Sequence, residues 1–202
     1  MGVAAFLGLA LSGVVAPAAF AGEEDFIAVA GPAAQRVRAE YDIPASVTVG
    51  QAAHESRWGA SGLSTADRNY FGFKCTSATN PGPIATGCHP YQTTECTPTC
   101  HPVTAYFRVY RSMEDSFRDY GRLLTTSPNY AGALPFRHDP DRFIREVAKK
   151  YATDGSYADK VISLMRRYNL YRFDTGGPGK RRSVDMDFSG DGSADLLSTT
   201  AS

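Results

Sequence analysis

The residues best suited to chemistry lie in the run Gln51-Ala52-Ala53-His54-Glu55-Ser56-Arg57-Trp58-Gly59-Ala60-Ser61. With Val47 and Val49 upstream, this run suits a helix capped by Ser46, reaching about Arg57 and closed by Gly59. Glu55 then stands near the helix C-terminus, where aligned peptide dipoles present negative charge. That field, with the apolar Trp58 nearby, disfavours ionisation, so the carboxyl is expected to keep its proton near neutral pH. A protonated carboxylic acid beside a glycosidic oxygen is what glycoside cleavage requires. For an isolated Glu, a plain surface position on an amphipathic helix is the commoner role. His54-Glu55 also opens like a zinc-protease helix, but the second His would have to stand where Trp58 does, so that motif is absent.

The elements that must position this run are mostly helical. From Phe26 to Tyr41, apolar residues recur at helical spacing, with Pro32 near the first turns and Asp42-Ile43-Pro44 as the stop. Residues 69–111 differ in character. They hold Gly, Pro, Thr and every cysteine, with β-prone stretches such as Ala105-Tyr106-Phe107-Arg108-Val109-Tyr110, and read as a small irregular β-lobe between helices. Helices resume at Ser112, which pairs with Asp115 in a capping pattern. Asp139-Pro140 opens another helix, and Ser156 is placed to cap the last one, through Val161, Ile162, Leu164, Met165 and Tyr168. The expected fold is α+β, mostly helical.

The motifs occur in an order that resembles the peptidoglycan endo-β-N-acetylglucosaminidase family, the glycoside hydrolase family 73-like domain of flagellar-rod-associated proteins and autolysins. The resemblance rests on Pro44 to Gln51 and Gly59-Ala60-Ser61, then Asn69-Tyr70-Phe71-Gly72-Phe73-Lys74 and Thr93-Thr94-Glu95. It continues in Phe107 to Ser112, Asp115-Ser116-Phe117 with Asp119, Pro128-Asn129-Tyr130, and Tyr151 to Ala158. It covers about Phe26 to Tyr171 and implies a lysozyme-like fold: a helical lobe and a small β-lobe with a cleft between them. It also implies cleavage of the β-1,4 bond after N-acetylglucosamine, with Glu55 as general acid and Glu95 as a second catalytic carboxylate. Trp58, Asn69, Phe71, Tyr110, Tyr151 and Tyr157 are the implied substrate-binding residues. Two positions depart from the pattern: Arg57 replaces the common Gly before Trp58, and Gly155 replaces the usual Pro after Thr153-Asp154. A covalent intermediate, direct inversion and assistance by the substrate's 2-acetamido group all remain open. The rival functions are a lytic transglycosylase and a catalytically silent wall-binding module; retention of both Glu55 and Glu95 speaks against the latter.

The termini set the expected compartment. Met1 to Ala21 is uncharged, apolar from Val3 to Val15, and ends in Ala19-Phe20-Ala21, which matches a signal-peptidase site. The run is short and interrupted by Ser12, Gly13 and Pro17, so it does not suit a full membrane span. A secreted, wall-associated monomer is expected, with peptidoglycan glycan strands as partner. In an exported chain the four cysteines read as two disulfides. Three pairings are possible; the sequence-local pairs Cys75–Cys88 and Cys96–Cys100 are expected. His89 and His101 each follow a cysteine, but the spacings repeat no zinc knuckle. A disulfide at Cys96 would restrict the neighbouring Glu95 and could set it across the cleft from Glu55.

Domain limits follow: a signal peptide at 1–21, the catalytic domain at 22–174 and a linker at 175–184. Residues 185–202 form a partial calcium-loop repeat or a disordered acidic tail. In that tail Asp187, Ser189, Asp191 and Asp195 stand at calcium-loop spacing without the distal Glu of an EF-hand. It resembles one loop of a β-propeller repeat. No cofactor is expected for catalysis. Twenty-one basic against 21 acidic residues leave no charge excess for binding nucleic acid.

Overall fold

The computed structural model describes residues 20, 22–96 and 99–175, the side chains of Glu95 and Cys96 excepted. The leader apart from Phe20, the linker beyond Thr175 and the expected calcium ligands Asp187, Ser189, Asp191 and Asp195 lie outside the described residues. Six α-helices and one hairpin organise the rest: α1 (Glu23–Tyr41), α2 (Ala45–Ser56), α3 (Gly62–Asp67), β1 (Gly87–Cys96), β2 (Cys100–Val109), α4 (Met113–Thr126), α5 (Pro140–Tyr151) and α6 (Tyr157–Arg167). Two 3-10 segments, Pro128–Phe136 and Leu170–Phe173, complete the helical lobe. The expected class, mostly helical with a small disulfide-bearing β-lobe, is the observed one.

At the centre lies α2, buried along almost its whole length, with Val47, Val49, Ala52 and Ala53 in the apolar core. Small residues let its neighbours come close. A Cβ on Gly50 would stand 3.1 Å from both Val161 and Met165 of α6. The first helix starts earlier than its pattern suggests and runs through Pro32, which stands mid-helix. Pro in a helix interior forfeits a backbone bond, but the flanking Phe26, Ile27, Ala30, Ala33, Ala34 and Val37 are all buried and hold the helix in place. Acidic Glu23, Glu24 and Asp25 occupy its first turn, where they complement the dipole.

The caps divide into those the sequence announces and those it does not. Ser112 accepts from the Asp115 N–H at 3.1 Å and Asp139 from the Arg142 N–H at 3.1 Å, as the patterns predict. Ser46 is not a cap. It lies inside α2, which begins at Ala45, and its N–H donates to the Asp174 carboxylate at 2.9 Å. Ser156 also makes no side-chain cap; its N–H and hydroxyl both donate to Asp154, at 2.9 and 2.7 Å.

The β-lobe is a two-stranded antiparallel hairpin in register from Gly87 opposite Val109 to Cys96 opposite Cys100. The preceding loop lies along β2, with Cys75 N–H donating to Tyr106 C=O at 2.8 Å and Arg108 N–H to Phe73 C=O at 2.9 Å. A Cys75–Cys88 disulfide, Cα atoms 6.1 Å apart, fastens that loop to β1. Cys100 is also disulfide-bonded. No helix among the described residues is long and apolar enough to cross a membrane.

Candidate active site

Glu55 occupies the last turn of α2 and is exposed, one residue before the buried Ser56. Its Oε1 accepts a 2.6 Å hydrogen bond from the Tyr157 hydroxyl at the first turn of α6. The Tyr157 oxygen in turn accepts from Gln51 Nε2 at 2.8 Å, and the Tyr120 hydroxyl of α4 donates to Gln51 Oε1. Gln51 and Tyr120 are fully buried, so this polar chain runs from the core to one exposed carboxylate. Burial, followed by the neighbouring Glu55 charge and hydrogen bond, pushes the Tyr157 hydroxyl well above the ordinary tyrosine range. Burial does the same for Tyr120 and Tyr151. All three remain neutral donors wherever a carboxyl titrates.

Around this pair, Tyr151 lies 5.7 Å from the Tyr157 ring and His54 meets the same ring edge-on at 5.4 Å. The Tyr151 hydroxyl reaches Phe71 C=O at 3.3 Å. Tyr151 and Tyr157 are thus gathered at Glu55.

The other expected substrate contacts sit elsewhere. Trp58 is partly buried, edge-on to Tyr168 at 4.7 Å and to Phe26 at 5.9 Å. Phe71 is buried and stacks on Tyr120 at 4.3 Å, supporting the base of the polar chain. Asn69 is buried with both ends of its amide engaged. It accepts from Phe73 N–H at 2.9 Å and donates to the carbonyls of Phe73 and Arg108 at 2.9 and 3.0 Å. Tyr110 is buried too, donating to Asp119 at 2.8 Å. The side-chain polar groups of Asn69 and Tyr110 are spent on the protein at the junction of hairpin and helices, and the Phe71 ring is spent on packing. Sequence spacing alone does not separate a cleft aromatic from one that supports the cleft.

Two buried carboxylates, Asp67, which the sequence did not mark, and Asp119, named there only as part of a motif, hold the hairpin to the helices. Asp67, at the end of α3, accepts from Tyr91 at 2.6 Å and pairs with His89 Nδ1 at 3.0 Å. Burial and that hydrogen bond push the Tyr91 hydroxyl up to about 12. Asp119 of α4 is fully buried and takes Arg108 at 2.5 Å, Tyr110 at 2.8 Å and Arg122 at 3.0 Å. These anchors hold the base of the hairpin. Glu95 lies toward its far end, its backbone opposite His101. No group of three or more His, Cys, Asp or Glu among the described residues could hold a metal ion.

The profile of the glucosaminidase family, described as mannosyl-glycoprotein endo-beta-N-acetylglucosaminidase, matches residues 31–170. The chain belongs to this glucosaminidase family. The matched stretch takes in α2, the hairpin and α6, and therefore Glu55, Glu95 and Tyr157.

Among relatives of this glucosaminidase domain, the peptidoglycan hydrolase FlgJ of Vibrio parahaemolyticus is 33% identical over 155 residues, covering 75% of this chain and 49% of the relative. The catalytic domain of the Listeria monocytogenes autolysin Auto superposes with a TM-score of 0.65 at 27% identity, covering 75% of this chain and 87% of that one. A C-terminally truncated glycoside hydrolase domain of Salmonella typhimurium FlgJ gives 0.59 at 29% identity, covering 73% and 98%. The chain spans roughly 40–50% of the length of the FlgJ relatives it matches: 49%, 38% and 53%.

Proposed function

We propose that this glucosaminidase domain hydrolyses the glycan strands of peptidoglycan at the β-1,4 bond after N-acetylglucosamine, with Glu55 as the general acid. The observation that carries this is the exposed Glu55 carboxylate at the end of a buried helix, held through one oxygen by Tyr157. Such a group is fixed in direction yet open to a substrate, as transfer of a proton to a glycosidic oxygen demands. Family membership and the hydrolase relatives support the substrate class.

Glu95 is the candidate second carboxylate, acting from the hairpin across the cleft. It would steady the oxocarbenium-like transition state or activate a water, according to its distance from Glu55 in the substrate complex. Tyr151, partly exposed, is the aromatic candidate for contact with a sugar ring beside the acid, and the buried Tyr157 holds the carboxylate. The enzyme acts outside the cytoplasm, at the wall, as a monomer. The leader reading of residues 1–21 supports this placement. A calcium-binding role for Asp187, Ser189, Asp191 and Asp195 is separate from the catalytic reading.

Digestion of purified peptidoglycan with the protein and with Glu55→Gln, followed by mass spectrometry of the muropeptides, tests the assignment. Reducing-end N-acetylglucosamine released by the unaltered protein alone is the expected result. Anhydro-muramic ends would make the enzyme a lytic transglycosylase. Equal release by Glu55→Gln would remove Glu55 from the chemistry.

A further inference from the structure

The hydrogen-bond chain Tyr120–Gln51–Tyr157–Glu55 has a direction, and the buried end decides it. A neutral amide and two hydroxyls can be chained either way, because each hydroxyl can donate or accept and the amide can present either end. If Gln51 turned its oxygen toward Tyr157, the Tyr157 proton would be drawn inward and away from Glu55. The other end prevents this. Tyr120 is fully buried, and Gln51 Oε1 is the acceptor the structure provides for its hydroxyl. Reversing the amide would set an N–H2 group against that buried O–H, and leaving a buried donor unsatisfied is costly. Gln51 Nε2 therefore faces Tyr157, and the Tyr157 oxygen, already accepting, sends its proton to Glu55 Oε1.

We propose that Gln51 and Tyr120 are positioning residues that fix the direction of this chain, so that Glu55 Oε1 is always an acceptor and the transferable proton is carried on Oε2. The proposal deepens the assignment of Glu55 as the acid and rests on it. Chemically the arrangement does two things. It presents one defined oxygen to the glycosidic bond, and it meets the carboxylate left by proton transfer with a donor already in place, which needs no reorganisation at the moment of reaction. No atoms are exchanged along the chain; only the Glu55 Oε2 proton moves to the leaving-group oxygen.

The ionisable groups facing the pair come from several elements: Tyr151 of α5, Tyr120 of α4, Tyr130 of the first 3-10 segment, and His54 beside Glu55 on α2. Tyr120, Tyr130 and Tyr151 are all raised, chiefly by burial, and stay neutral. His54 is present in every variant below, so its effect cancels in the comparison.

The test follows the Glu55 carboxyl by carbon-13 NMR in glutamate-labelled protein, assigned with Glu55→Gln, alongside the pH dependence of kcat on purified peptidoglycan. Tyr120→Phe keeps the ring and its stack on Phe71 but frees the amide to turn, so that Gln51 Oε1 competes for the Tyr157 proton. The Glu55 midpoint should rise by about half to one pH unit, and the alkaline limb of kcat should move up with it, KM staying nearly constant. Adding Gln51→Met should return the midpoint toward the starting value, because a thioether does not compete effectively for that proton. Tyr157→Phe should raise the midpoint by about one unit or more, after which Tyr120→Phe should add nothing. A purely structural role for these residues would lower Tm or kcat without moving the midpoint and would show no recovery in the double variant. An unmoved midpoint in a folded Tyr120→Phe protein, or a further rise in the double variant, overturns the proposal. If the double variant does not fold, Gln51→Met alone must leave the midpoint within a few tenths of a unit. Activity in Glu55→Gln would sink the acid assignment by itself, while the midpoints would still report on the chain.

Discussion

The carboxylate of Asp174, near the end of the catalytic domain, accepts a 2.9 Å hydrogen bond from the backbone N–H of Ser46, in the first turn of the helix that carries Glu55. The two stand 128 positions apart, and the cap that α2 lacks locally comes from the segment that follows the last helix. Asp174→Ala should lower stability by about 1 kcal/mol, through the lost cap and the lost negative charge at the helix N-terminus. The hydroxyl of Ser46 is buried without a partner. Ser46→Ala should therefore be neutral or stabilising. Urea unfolding of the two variants measures both, and destabilisation by Ser46→Ala would contradict the account.

Arg57 terminates α2 in the left-handed conformation, at φ 51°, and Trp58 follows at 58°. A helix end of this kind favours glycine, which meets no Cβ penalty there. Arg57→Gly is expected to raise stability by about 0.5–1 kcal/mol, read from the thermal unfolding midpoint. Because Arg57 is exposed next to Glu55, activity in the same variant reports whether its charge touches the substrate.

Asp119 is the most heavily engaged carboxylate at the lobe junction. Asp119→Ala leaves Arg108, whose side chain is only 15% exposed, and Tyr110 without their acceptor, and should cost about 3–5 kcal/mol. Arg122→Ala removes a partner that is 29% exposed and should cost much less, about 1 kcal/mol. Chemical denaturation gives the ranking; equal effects would mean that Asp119 is not the anchor described.

Asp154 is held below the ordinary carboxylate range, first by its hydrogen bond from Lys160 and then by those from Ser156. A lowered native value means its contribution is complete above the unfolded value, roughly pH 4, and is lost as pH falls through the lowered one. Asp154→Asn should therefore narrow the difference from the parent protein on acidification below that point. At neutral pH the same variant loosens the turn into α6 that presents Tyr157 and should reduce kcat several-fold. A parallel pH–stability curve for the two proteins would count against it.

Cys75 and Cys88 close a loop of 13 residues' separation between the β-lobe's approach and β1. Their joint replacement by Ser should cost about 3 kcal/mol by the chain-entropy argument. If oxidation of the lobe also places Glu95 across the cleft, a Cys96→Ser protein should lose activity beyond its loss of stability. Full activity and unchanged stability in that variant would reject the placement.

Much of the scaffold can be read from local signals. The Ser112 and Asp139 caps, the apolar spacing of α1 and the turn-rich cysteine stretch each reflect short-range rules that hold wherever the segment ends up. Pro32 shows their limit: a local rule would start the helix after it, but burial on both sides outweighs one lost backbone bond. Gly121 shows another. In the sequence it is a weak point inside α4, while in the fold a Cβ there would stand 2.7 Å from Tyr41 and 3.0 Å from Val37 of α1.

By itself, the sequence determined the family, the helical class and the nomination of Glu55, because each depends on residue types and motifs in order along the chain; among three possible cysteine pairings it only favoured Cys75–Cys88, which the structure shows. Only the tertiary structure decided which aromatics stand beside Glu55 and which support the junction, that Asp174 caps α2, and that Asp67 and Asp119 anchor the hairpin. It alone revealed the chain from Tyr120 through Gln51 to Tyr157. These are contacts between residues 9 to 128 positions apart that lie on different elements, made by polar groups that must find partners inside the protein, and no local pattern records which partner each one finds.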